Sequence, residues 1–172
     1  MGWRKWSTLC RTLMTMSAEG FKIGWMEWEE IEPYLPQLID METDLIVSYH
    51  YPDIVPPIEY VRQSVARLQQ HMENGNTFFM GIRDGETLYG YCWAYTATFI
   101  DELRWHERSR YLRNEVRGRG YGRLFSKEQE KKARLLGVTS MSTSVAVFNN
   151  KMKNLLMSEG FEPTRIELTK RL

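Results

Sequence analysis

The sequence predicts an α+β fold of mixed α/β layers, in which helices interleave with strands only in part. Three observations predict it. Ile58, Val61, Val65, Leu68 and Met72 recur at three- and four-residue intervals, the period of a helix with one buried face. Asp84-Gly85 lies between two apolar runs, a signal for a tight β-hairpin. Residues 138–147 are rich in β-branched and serine residues and stand between two helical stretches, as a strand would. The resulting order is strand, two helices, hairpin, strand, helix, strand, helix, strand.

Taken in order, residues 21–26 alternate enough for a first strand. Trp28, Ile31, Leu35 and Leu38 are spaced as a helix face, but Pro33 and Pro36 confine the regular helix to Pro33 onward. A proline-bearing loop over residues 49–57 leads to Pro57, which opens the second helix, and Asn74-Gly75 closes it. Residues 77–82 and 87–96 form the hairpin, with Tyr89, Tyr91, Trp93 and Tyr95 at alternate positions on one face. Residues 99–108 read as a polar connector before a fourth strand over 108–112. Residues 122–136 are helical in composition and Gly137 ends them. A short helix over 149–158 and a closing strand over 161–168 complete the chain.

The 172 residues suit one domain, placed over residues 20–172 behind an extension of residues 1–19, with Met16 as a second candidate start. A composition of 42% hydrophobic and 26% charged residues can build a core. The net charge of +1 gives no electrostatic case for nucleic acid or an anionic membrane. Two cysteines, Cys10 and Cys92, can form neither a disulfide framework nor a four-ligand zinc site, and suit a reducing compartment. No stretch approaches the roughly 18 apolar residues of a membrane span, and none near the N-terminus reads as a secretory signal. Met1-Gly2 lacks the hydroxyl at the sixth position that myristoylation needs, since Trp6 stands there. These readings point to the cytoplasm.

Chemistry concentrates in residues 112–123, where a strand runs into a turn with glycines at 118, 120 and 122 and a helix opens behind it. Free N–H groups at a helix N-terminus make an anion site, and glycines let a phosphate approach them. Arg117, Arg119 and Arg123 add charge. The inference is a pyrophosphate cradle. A dinucleotide fingerprint fails, because Arg123 stands where its third glycine belongs, and the Gly-Lys-Ser/Thr ending of a P-loop is absent. Serine-hydrolase and metal readings fail too, because His50, His71 and His106 are scattered and no nucleophile elbow or metal spacing occurs.

Arg117-x-x-Gly120-x-Gly122 resembles the Arg/Gln-x-x-Gly-x-Gly/Ala signature of the GCN5-related N-acetyltransferase (GNAT) superfamily. Leu112-Arg113-Asn114-Glu115-Val116 looks like its lead-in, and Asn149, Leu155 and Gly160-Phe161 resemble its second block, so the likeness covers about residues 77–162. It implies a twisted, mixed, mostly antiparallel sheet whose fourth and fifth strands splay apart, with helices on both faces. It also implies acetyl-CoA as co-substrate, with no metal. Leu112 would offer its backbone to the thioester, residues Arg117, Gly118, Arg119, Gly120, Tyr121, Gly122 and Arg123 would bind the pyrophosphate, and Asn149 would contact the pantetheine arm. Asn149 also suits a helix cap. Two positions depart from the pattern: Met152 replaces the usual Ala, and Leu156 replaces the Tyr commonly assigned to protonate the leaving thiolate.

The implied reaction moves an acetyl group to a primary amine of a small molecule or a protein. An ammonium with a pKa of about 10 must first lose a proton, and a carboxylate or histidine can take it. Among Asp101, Glu102, His106 and Glu107, the first choice is Glu107 and the second Glu102. Without the tyrosine, water, Tyr121 or Ser158 could protonate the thiolate. Two alternatives stand beside this reading. One is an acyl-CoA-binding regulator that kept the cradle and lost chemistry, motivated by Leu156. The other acetylates an aminoacyl-tRNA, motivated by seven arginines between Arg104 and Arg123. A homodimer is left open.

Overall fold

The computed structural model describes residues 15–16 and 20–170, so Cys10 and most of the N-terminal extension lie outside the described residues. Six strands form one sheet in chain order: β1 (Thr15–Met16), β2 (Lys22–Met26), β3 (Thr77–Asp84), β4 (Thr87–Phe99), β5 (Glu102–Leu112) and β6 (Ser140–Thr143). Neighbours are antiparallel except β5 and β6, which run parallel. Five α-helices accompany them: α1 (Trp28–Ile31), α2 (Leu35–Leu45), α3 (Ile58–Glu73), α4 (Tyr121–Leu135) and α5 (Asn150–Ser158). The mixed sheet with helices on both faces is the predicted class.

Period-2 alternation in the strands divides the core. Phe79, Leu88, Tyr91 and Trp93 meet Ile31, Leu38, Met41, Val65 and Leu68 from α1 to α3 on one face. Met80, Ile82 and Cys92 meet Val116, Tyr121 and Phe125 on the other, and Ala94 and Trp105 meet Ala133 of α4 beyond them. The stripe predicted for α3 is buried through Val61, Val65 and Leu68, while Ile58 stays largely exposed. The prolines act as predicted on the first helical segment: Pro33 sits in a 3₁₀ turn (Glu32–Tyr34), and Pro36 lies in the first turn of α2. That helix ends in a wide turn, Ile46–His50, which tightens the loop expected from residue 49.

Several expectations are corrected. The polar connector over 99–108 is strand: β4 and β5 pair from Phe99↔Glu102 to Gly90↔Leu112 with one bulge, around a turn at Ile100 and Asp101 with φ of 47° and 65°. Its charged side chains hid the pairing, because a strand with one face toward solvent carries them freely. The β3–β4 turn centres on Gly85-Glu86, one residue later than Asp84-Gly85, with positive φ at Gly85. A register shift at Ile82/Arg83 turns Tyr89 away from Tyr91 and Trp93, so its ring packs on Phe21 instead. Residues 161–170 form no strand, and β6 is four residues long. Ahead of these elements, β1 pairs with β2.

One glycine sets the spacing of β4 and β5. A Cβ at Gly90 would lie 2.9 Å from the Tyr111 carbonyl oxygen and 2.6 Å from a Leu112 methyl. We expect Gly90→Ala to cost about 1–3 kcal/mol, read as a lower denaturant midpoint, because main chain must move. Gly81→Ala should cost less, since the nearest atom there is the Met26 sulfur of a flexible side chain.

Candidate active site

The site begins where β5 and β6 part. They pair only over Arg104–Glu107 and Ser140–Thr143, and beyond that point β5 continues alone beside β4. Arg113 N–H donates to the Tyr89 carbonyl at 2.7 Å. Antiparallel strands exchange bonds at alternate residues, so Tyr111 also faces β4 while Arg110 and Leu112 turn their main-chain groups into the gap. The gap is a cavity of about 660 Å³, within the range of small-ligand sites. Leu112, Gly118, Gly120, Asn149 and Leu155 line it, with Tyr49 and His50 at the end nearer α2.

The predicted glycine turn closes one side. Gly118 and Gly120 take φ of 78° and 85°, which other residues rarely adopt, and open space surrounds the point where each Cβ would stand. Gly120 caps α4 with no side-chain hydrogen bond, and the first amide bonded within the helix is that of Leu124, to the Gly120 carbonyl at 3.1 Å. The amides of Gly122 and Arg123, like those of any helix's first turn, precede the first intrahelical bond, which sets the positive dipole end of α4 at the cleft. Gly122 has a different reason to be glycine: its Cβ would stand 3.1 Å from a Leu155 methyl on α5.

A bulge holds this turn in place. Trp93 pairs with Ser109 and Ala94 with Glu107, so Arg108 is an extra residue in β5. Residues three apart in a regular strand point to opposite faces. The bulge puts Glu107 and Arg110 on the same face, where Arg110 Nη2 donates to Glu107 Oε2 at 2.6 Å with both side chains 6% exposed. Arg110 also donates to the Gly122 carbonyl at 2.9 Å and to Ser126 Oγ at 2.9 Å, clamping the first turn of α4 onto β5. The amide of the buried Gln129 donates to the same Glu107 oxygen, while its carbonyl accepts from Trp105 Nε1 at 2.9 Å. Burial opposes the charge of Arg110, yet the adjacent Glu107 carboxylate raises its proton affinity above the ordinary value.

The chain belongs to the acetyltransferase (GNAT) family. That family's profile matches residues 38–161, which span the cleft, the turn and α5. Solved structures share the GNAT fold at low identity. A transcriptional regulator from Bacillus halodurans C-125 is 14% identical with a TM-score of 0.68, over 88% of this chain and 99% of its own. An aminoglycoside acetyltransferase from an uncultured soil metagenomic sample, in complex with sisomicin, is 12% identical with a TM-score of 0.65, over 88% and 96%. AAC(6')-Iy, in complex with a bisubstrate analog of CoA and acetylneamine, is 13% identical with a TM-score of 0.64, over 88% and 97%. No curated protein matches the chain.

Several side chains sit differently from the GNAT expectation. Arg117 turns back, donating to the Leu112 carbonyl at 2.6 Å with its guanidinium 5.4 Å from the rings of Tyr49 and Tyr111. It steadies the strand end. Arg119 and Arg123 are exposed beside the turn, and Arg123 lines the cleft. The Tyr121 ring is buried against Phe21, which leaves its backbone to the cleft. Asn149 caps α5, accepting from Met152 N–H at 3.2 Å, and also lines the cleft. Leu156 is buried at 5% exposure, while its neighbour Leu155 meets the cavity.

The two carboxylates chosen as bases fare unequally. Glu102 stands ten residues before Leu112 on one continuous strand, on the order of 30 Å away, and pairs with Arg104 at 2.9 Å. It is not brought to the cleft. Glu107 does line the cleft, but its Oε2 is occupied by Arg110 and Gln129. His50 is the group sequence reasoning passed over. It lines the cavity beside Tyr49, and burial pushes its ring below the usual histidine range; Glu42 opposes that and Arg108 adds to it. Only tertiary folding reveals it, since His50 is 62 residues from Leu112 in the sequence. Nearby, burial and the hydrogen bond to Asp44 push the Tyr111 hydroxyl up to about 12, so it remains a donor.

Among the described residues, no group of three His, Cys, Asp or Glu could hold a metal, and no helix is long and apolar enough to cross a membrane. The arginine clamp has a measurable consequence. Arg110→Ala would leave Glu107 buried without its cation, and we expect a loss of about 3–5 kcal/mol in denaturant unfolding.

Proposed function

We propose that this GNAT protein transfers an acetyl group from acetyl-CoA to a primary amine by direct attack on the thioester. One observation carries the reading: the uncapped N-terminus of α4, entered through two left-handed glycines, faces the same cleft as the unpaired end of β5. The residues fit the co-substrate. The amides of Gly122 and Arg123 would hold its diphosphate, with the Arg123 and Lys151 side chains at the cleft wall, and Leu155 and Asn149 would line the pantetheine channel. When bound, acetyl-CoA supplies an activated carbonyl with a thiolate leaving group.

Main-chain N–H groups of Arg110 and Leu112 face the gap and would donate to the carbonyl oxygen as it gains charge. Because Arg117 holds the Leu112 carbonyl and Arg110 is pinned to α4, these donors are fixed beforehand. We assign proton removal from the acceptor ammonium to His50, whose neutral ring can accept at neutral pH. Glu107 keeps the bulge and the helix in register and stays out of proton transfer. Leu156 supplies no proton, and a thiol with a pKa of roughly 8.5 can depart as thiolate. The unpaired, buried Cys92 fits a reducing compartment, so the proposed location is the cytoplasm.

The buried Leu156 also favours a second reading, an acyl-CoA-binding regulator without turnover. Following free-thiol release with acetyl-CoA and an amine panel separates the two: tight binding with no turnover supports the regulator.

Two variants test the first reading. Gly120→Glu places bulk and negative charge in the cradle at a φ of 85°, and acetyl-CoA binding should vanish in calorimetry while the far-ultraviolet dichroism persists. Unchanged affinity would contradict the cradle. His50→Gln should lower kcat about 10²- to 10⁴-fold. Because burial holds the imidazole's pKa below the ordinary 6.5, the active neutral form still prevails at pH 6.5 and is lost only as the pH falls through that lowered value. Wild-type kcat should therefore fall on an acid limb below pH 6.5 that the variant lacks.

A further inference from the structure

We infer that the acceptor is a small amine carrying a carboxylate, an amino-acid-like molecule whose carboxylate is read by Arg108. This names the substrate class of the cleft and rests on the acetyl-transfer reading above.

The charge of the cleft is the first ground. Its walls hold five Lys and Arg side chains and a single carboxylate, Glu107, which Arg110 already neutralises. Arg123 and Lys151 stand in the first turns of α4 and α5, where the diphosphate would lie, and Arg117 is folded onto Leu112. Arg108 is left at the opposite end, beside His50. Among the described residues, no further acidic lining is there to hold a polycation. The other nearby carboxylates are committed: Glu42 is 2% exposed and accepts from Tyr91 at 2.5 Å and Arg108 at 3.4 Å, and Asp44 accepts from Tyr111 and Ser48.

The second ground is the way Arg108 is held. As the bulged residue it leaves the regular pleat and lies over Trp93, with its guanidinium carbon 4.3 Å from the ring centroid. Nη2 donates to Ser64 Oγ on α3 at 2.6 Å, and Nη1 to Ser109 Oγ at 3.1 Å. With the Glu42 contact these occupy at most three of the five N–H donors of a guanidinium. The side chain is 36% exposed. A planar cation pinned on an aromatic face, with donors remaining and access to solvent, is the arrangement that reads a carboxylate in bidentate fashion. Arg108 is two residues before Arg110, on the order of 7 Å along the strand from an amide facing the reacting carbonyl. That span suits an amine and a carboxylate a few bonds apart.

The test runs free-thiol release with acetyl-CoA against three acceptor sets: amino acids, their methyl esters, and sisomicin as a polycationic amine. Binding of the same amino acids to the CoA-loaded protein is measured by calorimetry. At least one amino acid should exceed its methyl ester in kcat/KM by tenfold or more, and sisomicin should be poor. Arg108→Gln should cut the acid-to-ester ratio at least tenfold, a quantity that a folding defect acting on both substrates would not move. Preference for sisomicin or for the esters, an unmoved ratio in the variant, or neither turnover nor binding of any amino acid would overturn the inference. Absent acetyl-CoA binding in the same calorimeter would instead mark failure of the acetyl-transfer reading itself.

Discussion

The buried pair of Glu107 and Arg110 fixes the distance between the open end of β5 and the first turn of α4. It exists only because Arg108 is inserted opposite Trp93 and Ala94. Without that extra residue the two side chains would face opposite sides of the sheet and Arg110 could not reach the Gly122 carbonyl. The pair is not a source of large net stability, since burying two charges offsets much of their attraction. Its consequence is geometric. Two charges held by Gln129, Ser126 and a main-chain carbonyl have few other arrangements, so strand and helix keep one register.

The same bulge shapes the opposite face. Arg108 leaves the pleat toward α2 and α3, where Trp93, Ser64 and the buried Glu42 receive it. One inserted residue thus places a clamp on the α4 side and a cation on the α2 side. Both flank the segment of β5 from which β6 has departed. The cleft needs β6 to end at Thr143, because a longer ladder would occupy the main-chain groups of Arg110 and Leu112.

Local chemistry was legible in the sequence where local physics decides. Pro57 and Asn74-Gly75 bounded α3, the three glycines marked the turn into α4, and Asn149 announced the cap of α5. Each depends on a dihedral angle or a nearby hydrogen bond. What stayed hidden depends on partners far along the chain. A polar run from Glu102 to Arg108 looks like a connector until β4 is placed beside it, and neither bulge has a sequence mark. The bulges decide that Tyr89 leaves its aromatic neighbours and that Glu107 meets Arg110. The glycine at 122 was legible as a residue but not in its reason, which is the approach of Leu155 from α5.

The two carboxylates that the sequence puts forward as bases occupy different surroundings on β5. Glu102 and Glu107 lie on the strand that enters the site, yet β5 is straight enough to hold Glu102 far from its open end, and Glu107 is engaged by the clamp. His50 comes from the far side of the fold through the wide turn after α2, and no spacing rule links it to Leu112. The two halves of the cleft therefore differ in origin. On the proposed reading, a contiguous segment would build the anion cradle with main-chain amides, which side-chain drift leaves intact. The other end is lined by side chains from the end of α2, the Ile46–His50 turn and β5, so on the proposed reading substitutions at a few positions there would change the acceptor without disturbing the cradle. On this division, likeness to GNAT-fold structures carries little weight for the proposed acceptor. The charge that actually lines that end, with Arg108 held and Glu42 already satisfied, carries more.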